Sequence, residues 1–149
     1  MTPEQARASL SSTLGVEIAA ATPITVEVPP ARWEEIARYA KETIGCRFFN
    51  FLTAVDWKEQ GLEVVARVDN LDDNVSLMLK TKLGPGVNNC ASLMPVYRGA
   101  DWMERECFDM FGIHFDGHRD LRRILLEDGW EGHPLLKSYA VDTPHPPYR

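Results

Sequence analysis

Between Trp102 and Tyr139 the sequence WMERECFDMFGIHFDGHRDLRRILLEDGWEGHPLLKSY concentrates the side chains able to do chemistry. Glu104, Arg105, Glu106 and Asp109 fall within six residues, and His114, His118 and His133 follow them. Carboxylates beside histidines can be tuned toward neutral pH, so general acid–base catalysis is one chemistry this density suggests. No nucleophile elbow, phosphate-binding glycine loop or dinucleotide fingerprint accompanies it, and GPG at residues 84–86 is only a turn. A metal site is the second candidate. His114 and His118 are four apart with Asp116 between them, but ligands at that spacing converge on a helix, and Gly112 and Gly117 break one there. The histidines are therefore expected in loops, ring nitrogens holding neighbouring backbone, with His118 and His133 each following a glycine that permits an unusual turn. No catalytic, cofactor-binding or metal-ligating residue is assigned.

Docking is the third candidate. Trp102, Met103, Phe108, Met110 and Phe111 supply apolar surface that must be covered by something. At helical spacing, Glu106 and Asp109 fall on one face with Trp102 as an acidic pair one turn apart, and Arg105 lies on a neighbouring arc. Read this way, the charges are an ion-pair set aimed at a partner surface. In DLRRILL, Arg122 and Arg123 suit bidentate bonds to carboxylates. Trp130, in the glycine-broken run EDGWEGHPLL, needs a pocket, and a neighbouring protein is one way to cover so much aromatic surface on irregular backbone.

The elements that position these residues follow from periodicity. Asp101 and Glu104 match the D-x-x-E capping box, so a helix is expected from Trp102 to a stop at Gly112. An earlier helix spans residues 3–14, capped by Thr2, opened by Pro3 and stopped by Gly15. Ile24, Val26 and Val28 alternate as a strand. Pro30 opens another helix, with Trp33, Ile36, Ala37, Ala40 and Ile44 on one stripe and Gly45 as its stop. Strand-like runs at 47–57, 62–68 and 75–83 are joined by short turns, which predicts an antiparallel meander; Glu63 and Arg67 are placed outside. Residues 84–100 read as an irregular linker ending in a short strand near Leu93 to Tyr97. The fold class is α+β: a two-layer domain, a small mixed or antiparallel sheet of about four strands with helices on one face, and an irregular, extended C-terminal segment. Residues 1–97 form the α+β core; 98–149 carry the helix, the docking segment and a proline-rich tail, continuous with the same domain.

Composition excludes several classes. Hydrophobic residues at 44% and charged residues at 26% of 149 are ordinary globular values. A net charge of −6 argues against nucleic acid and anionic lipid as partners. No apolar run is long enough to span a membrane and the N-terminus does not read as a signal peptide, so a cytosolic location is the default. Cys46, Cys90 and Cys107 are isolated, without a CxxC pair for zinc or an iron–sulfur cluster.

Glu104-Arg105-Glu106-x-x-Asp109-Met110-Phe111, six further residues, and then His118-x-x-x-Arg122-x-Ile124-Leu125 resemble the signature of the thirty-kilodalton subunit family of respiratory complex I, which in bacteria is the C subunit of NADH-quinone oxidoreductase. FDGHRDLRRILL and WEGHPL extend the likeness, and FNFLTAVDW and ADW are similar to upstream family segments. The resemblance implies a non-catalytic, hydrophilic subunit of the peripheral arm, on the cytoplasmic side of the cell membrane, with no redox centre of its own. FMN and iron–sulfur clusters would sit on other subunits. It implies partners as well: chiefly the forty-nine-kilodalton-type subunit, with the neighbouring iron–sulfur subunits, held together in the quinone-proximal module. Its implied interface residues are Glu104, Arg105, Glu106, Asp109, His118, Arg122, Arg123, Trp130 and His133. The chain departs from the family pattern HPLRKDY at Leu136 and Ser138, carries Cys107 where a larger apolar residue is usual, and ends at Arg149, short of the extension many members have. Membrane-bound hydrogenases and other quinone- or ferredoxin-linked complexes contain related subunits and form the alternative; a freestanding enzyme using the Glu/His cluster is the remote one.

Overall fold

In the computed structural model, residues 1–142 are described. β1 (Ile24–Glu27), β2 (Phe48–Asp56), β3 (Leu62–Asn70) and β4 (Val75–Gly84) form one sheet in the order β1-β4-β3-β2. β2, β3 and β4 are the antiparallel meander the short turns required, and β1 lies parallel to β4, so the sheet is mixed.

Alternation decides which face is covered. Ile24 and Val26 of β1 and Val75, Leu77 and Leu79 of β4 are buried, while Thr25 and Glu27 face out. Against the buried face lie α1 (Pro3–Leu14), through Ala6 and Leu10, and α2 (Trp33–Glu42), through Trp33, Ile36, Ala37 and Ala40. Thr2 and Gln5 close a reciprocal capping box on α1, and Gly15 ends the helix at φ 69°. Pro30 opens a single 3-10 turn, Pro30–Arg32, from which α2 continues.

Two expectations are corrected. Glu63, placed outside by alternation, is 3% exposed, because β3 runs between β2 and β4 and neighbouring side chains cover it on both faces. The strand expected near residues 93–97 is instead a turn, with Val96 and Tyr97 N–H both donating to Leu93 O; Pro95, which lacks an N–H, suits a turn better than a ladder. The extra strand falls earlier. β5 (Asn89–Ala91) pairs in parallel with β6 (His114–Asp116), bringing the linker beside the segment that follows α3 (Ala100–Phe111).

α3 is the element that connects fold to site. β2 has a strand partner on one side only, and on it Leu52 N–H donates to Met103 Sδ of α3 at 3.1 Å. A helix thus covers a sheet edge that would otherwise invite pairing with another chain. Before α3, Tyr97 stacks on Phe49 with ring centroids 5.0 Å apart and donates its hydroxyl to Cys46 O at 2.7 Å, so the start of the helix is set by the core beneath it. Among the described residues no helix is long and apolar enough to cross a membrane. Most of the proline-rich tail, residues 143–149, lies outside the described residues.

Candidate docking site

The expected capping box at the start of α3 does not form. Ala100 N–H and Asp101 N–H are already satisfied by Tyr97 O and Arg98 O, the cap position is Gly99, and no side chain caps the helix. Freed from capping, Asp101 turns to His118, whose Nε2 lies 2.9 Å from Asp101 Oδ1. The other ring nitrogen, Nδ1, accepts Asp120 N–H at 3.1 Å. Glu104 turns inward, fully buried, and its Oε1 accepts from Leu93 N–H at 2.8 Å and Ser92 Oγ at 3.1 Å. Burial pushes its carboxyl up to about 7.

Beyond α3 the chain returns across the helix as a strap, roughly residues 118–137, with almost no regular structure of its own. Its backbone must therefore be held by side chains, and the charged residues of α3 do this. Asp109 Oδ2 accepts from three successive amides, Ile124 at 3.2 Å, Leu125 at 2.8 Å and Leu126 at 2.9 Å, while Oδ1 meets Arg123 Nη1 at 2.7 Å. Burial opposes the charge on Asp109, but Arg123 and the three amides outweigh it and hold the carboxyl below the usual carboxylate range. Arg123 also donates to Asp109 O, Trp130 O and Gly132 O, at 3.2, 2.8 and 2.9 Å. Arg105 donates to Arg122 O at 3.1 Å and Arg123 O at 2.9 Å, its guanidinium 5.6 Å from the Trp102 ring centroid. His133 Nδ1 donates to Asp109 O at 2.9 Å, and its ring meets Phe108 edge-on. Farther along, Lys137 N–H reaches the Asp56 carboxylate at the end of β2, at 2.8 Å.

The expected interface residues thus separate into two groups. Glu104, Arg105, Asp109, His118, Arg123 and His133 are engaged within the chain, so the reading of Glu106 and Asp109 as one outward acidic pair is corrected. Asp109 has no exposed side chain because the strap lies over it, while Glu106 remains in solvent. Arg122 is exposed and pairs with Asp120 at 2.9 Å; Trp130 is partly buried beside the carbonyl that Arg123 holds. Sequence reading missed the roles of Ser92, Asp101 and Asp56, whose partners here, the Glu104 carboxyl, the His118 ring and the Lys137 amide, lie far along the chain. This side-chain clasp between α3 and the strap leaves Trp102, Leu125 and Leu135 in solvent, 64%, 62% and 52% exposed. Among the described residues no group of three His, Cys, Asp or Glu is placed to hold a metal, and the engaged carboxylates and ring nitrogens brace α3 against the strap.

The family model described as respiratory-chain NADH dehydrogenase, 30 Kd subunit, matches residues 26–145, from within β1 through the rest of the sheet, α3 and the strap. The chain belongs to this family. The C subunit of NADH-quinone oxidoreductase from Rhodobacter capsulatus is 42% identical over 122 residues, 79% of this chain and 61% of that protein. This chain therefore spans about three-fifths of that relative's length. In Rhodopseudomonas palustris the similar protein is the C/D subunit of NADH-quinone oxidoreductase, 45% identical over 89 residues, 59% of this chain and 15% of that longer one. A solved chain from the membrane-bound sulfane sulfur reductase, an archaeal respiratory membrane complex, has the same fold, with a TM-score of 0.73 at 22% identity, covering 85% of this chain and 77% of that one. Within this respiratory-chain family, the residues that carried the resemblance are now seen to include those that build the clasp.

Proposed function

We propose that this member of the respiratory-chain family is a docking subunit in the peripheral arm of an NADH-quinone oxidoreductase. It sits on the cytoplasmic side of the membrane and holds the forty-nine-kilodalton-type subunit and adjacent iron–sulfur subunits in the quinone-proximal module. In this reading it carries no flavin, cluster or catalytic residue, and the chemistry belongs to its neighbours. One observation carries the proposal. Arg105, Asp109, His118, Arg123 and His133 of the signature segment are given over to holding an irregular strap rigid against α3, and the surface so shaped presents Trp102, Glu106, Leu125 and Leu135 outward. A preformed apolar surface with a polar rim is what a permanent interface requires, since ordering the strap beforehand removes an entropic cost of binding. The C/D fusion in Rhodopseudomonas palustris supports a partner fused to this subunit there.

The equivalent subunit of a related hydrogenase or ferredoxin-linked complex is the alternative. The archaeal likeness at 22% identity speaks only to fold, and the 42% identity to a bacterial C subunit favours the NADH-quinone assignment. The test is a pull-down of the peripheral arm with wild-type chain, Trp102→Ala and Glu106→Gln. Both variants should keep the wild-type thermal midpoint and lose partner recovery. Undiminished recovery of the forty-nine-kilodalton-type subunit, or flavin or cluster absorbance in the pure chain, overturns the reading.

A further inference from the structure

Glu104 is among the largest side chains that are fully buried, and it is not part of the clasp. It stands on α3 facing the 92–97 turn. Both of its hydrogen bonds arrive at Oε1, from Leu93 N–H and Ser92 Oγ; Oε2 is buried without a hydrogen-bond partner. No cation is among the groups acting on it. From α3 itself the neighbour is Asp101, a like charge, along with the Cys107 thiol; from β5 it is the Cys90 thiol. Lys41 of α2 reaches the same turn, but its ammonium is bonded to Val96 O.

A carboxylate in this position would place negative charge on an oxygen that nothing donates to, next to another acid. A neutral acid removes that difficulty: Oε1 serves as the carbonyl that takes both donors, and Oε2 carries the proton. We propose that Glu104 is a proton-bearing switch at the junction of α3 and the 92–97 turn, holding the junction as a neutral acid and loosening it on ionisation. The upward push that burial gives this carboxyl acts in the same direction. Because α3 carries Trp102 and Glu106 and braces the strap that carries Leu125 and Leu135, the switch ties the set of that surface to local pH, whatever partner occupies it.

The sign follows from linkage. A carboxyl raised in the folded state contributes stability that is complete below its unfolded value, about 4.3, and is lost as pH rises through its folded value, about 7. Between them the folding equilibrium constant falls by up to about tenfold per pH unit, then levels off. Equilibrium denaturation of the 149-residue chain from about pH 5 to about pH 8 should show this loss, and Glu104→Gln, which keeps the acceptor and stays neutral, should lack it. The same pH slope in both proteins overturns the proposal. Should the variant fail to fold, infrared titration of the wild-type carboxyl, isotope-labelled at glutamate, decides: a buried protonated carbonyl band fading near neutral pH supports the switch. Complete ionisation by about pH 5 overturns it.

Discussion

The Asp109 carboxylate and the Arg123 guanidinium, 2.7 Å apart with side chains 0% and 13% exposed, are the point at which α3 and the strap become one unit. An ion pair in such a place is stabilising only if the remaining lone pairs and protons are also satisfied. Here they are. Three amides complete Asp109, and carbonyls of Asp109, Trp130 and Gly132 complete Arg123. Removing the guanidinium leaves a buried carboxylate with its main counter-charge gone, so Arg123→Met should cost about 3 kcal/mol. Arg123→Lys keeps the charge but not the planar fork, and should recover less than half of that loss. Urea denaturation of the three proteins measures both values.

Asp109 sets a second expectation, in pH. Its folded-state value is depressed, so its contribution is fully present above the unfolded value, about 3.9, and disappears as pH falls through the lower folded value. Wild-type stability should therefore drop below about pH 4, and Asp109→Asn should drop less steeply there while being weaker at neutral pH. A wild-type curve that is parallel to the variant's in acid removes Asp109 from the account.

Gly112 is a position where backbone and packing make the same demand. It ends α3 at φ 73°, and a Cβ placed on it would lie 2.8 Å from His133 Cδ2. Gly112→Ala therefore meets both the left-handed penalty, about 1 kcal/mol, and displacement of the ring that holds Asp109 O. A loss of about 2 kcal/mol is expected, together with loss of the chemical-shift signature of the His133 ring bond in NMR. Gly117, whose φ is 89° but which has open space around it, should cost only the backbone part when changed to Ala.

Which features were legible in the sequence follows from whether their cause is local. The Thr2 cap of α1, the stripe of α2 and the meander depend on residues near one another, and all three are present where spacing placed them. Glu63 was misplaced because alternation assigns faces without knowing that a central strand is covered on both. Asp101 was misplaced because the turn at Tyr97 and Arg98 took over the capping work, something no pattern in D-x-x-E reveals. At the site, the dense segment contains the residues that brace the strap. What they hold was hidden: Asp109 closes on amides 15 to 17 positions away, a distance at which spacing carries no information. The reading of the histidines as loop residues holding neighbouring backbone succeeds for His118, which follows Gly117 at φ 89° and accepts Asp120 N–H, but not for the others: His133 reaches Asp109 O across 24 positions, and His114 opens β6 with its ring 3.3 Å from the Asp116 carboxylate.

Leu136 and Ser138, where the chain leaves the family pattern, carry opposite expectations for the same kind of change. Leu136 is partly buried and packs against the core, one residue before the strap's bond from Lys137 N–H to Asp56. Ser138 is exposed. Restoring the family-type residue at the first position, Leu136→Arg, takes away apolar contact that an arginine stem replaces only in part, since its head must reach water. A loss of about 1 kcal/mol follows, read as a thermal midpoint lower by about 3 °C. Ser138→Asp changes a solvated position and should stay within about 0.5 kcal/mol of wild type. If Leu136→Arg instead raised the midpoint, the apolar residue would not be the one this strap is packed around, and the departure from the family pattern would be a defect rather than a local adaptation.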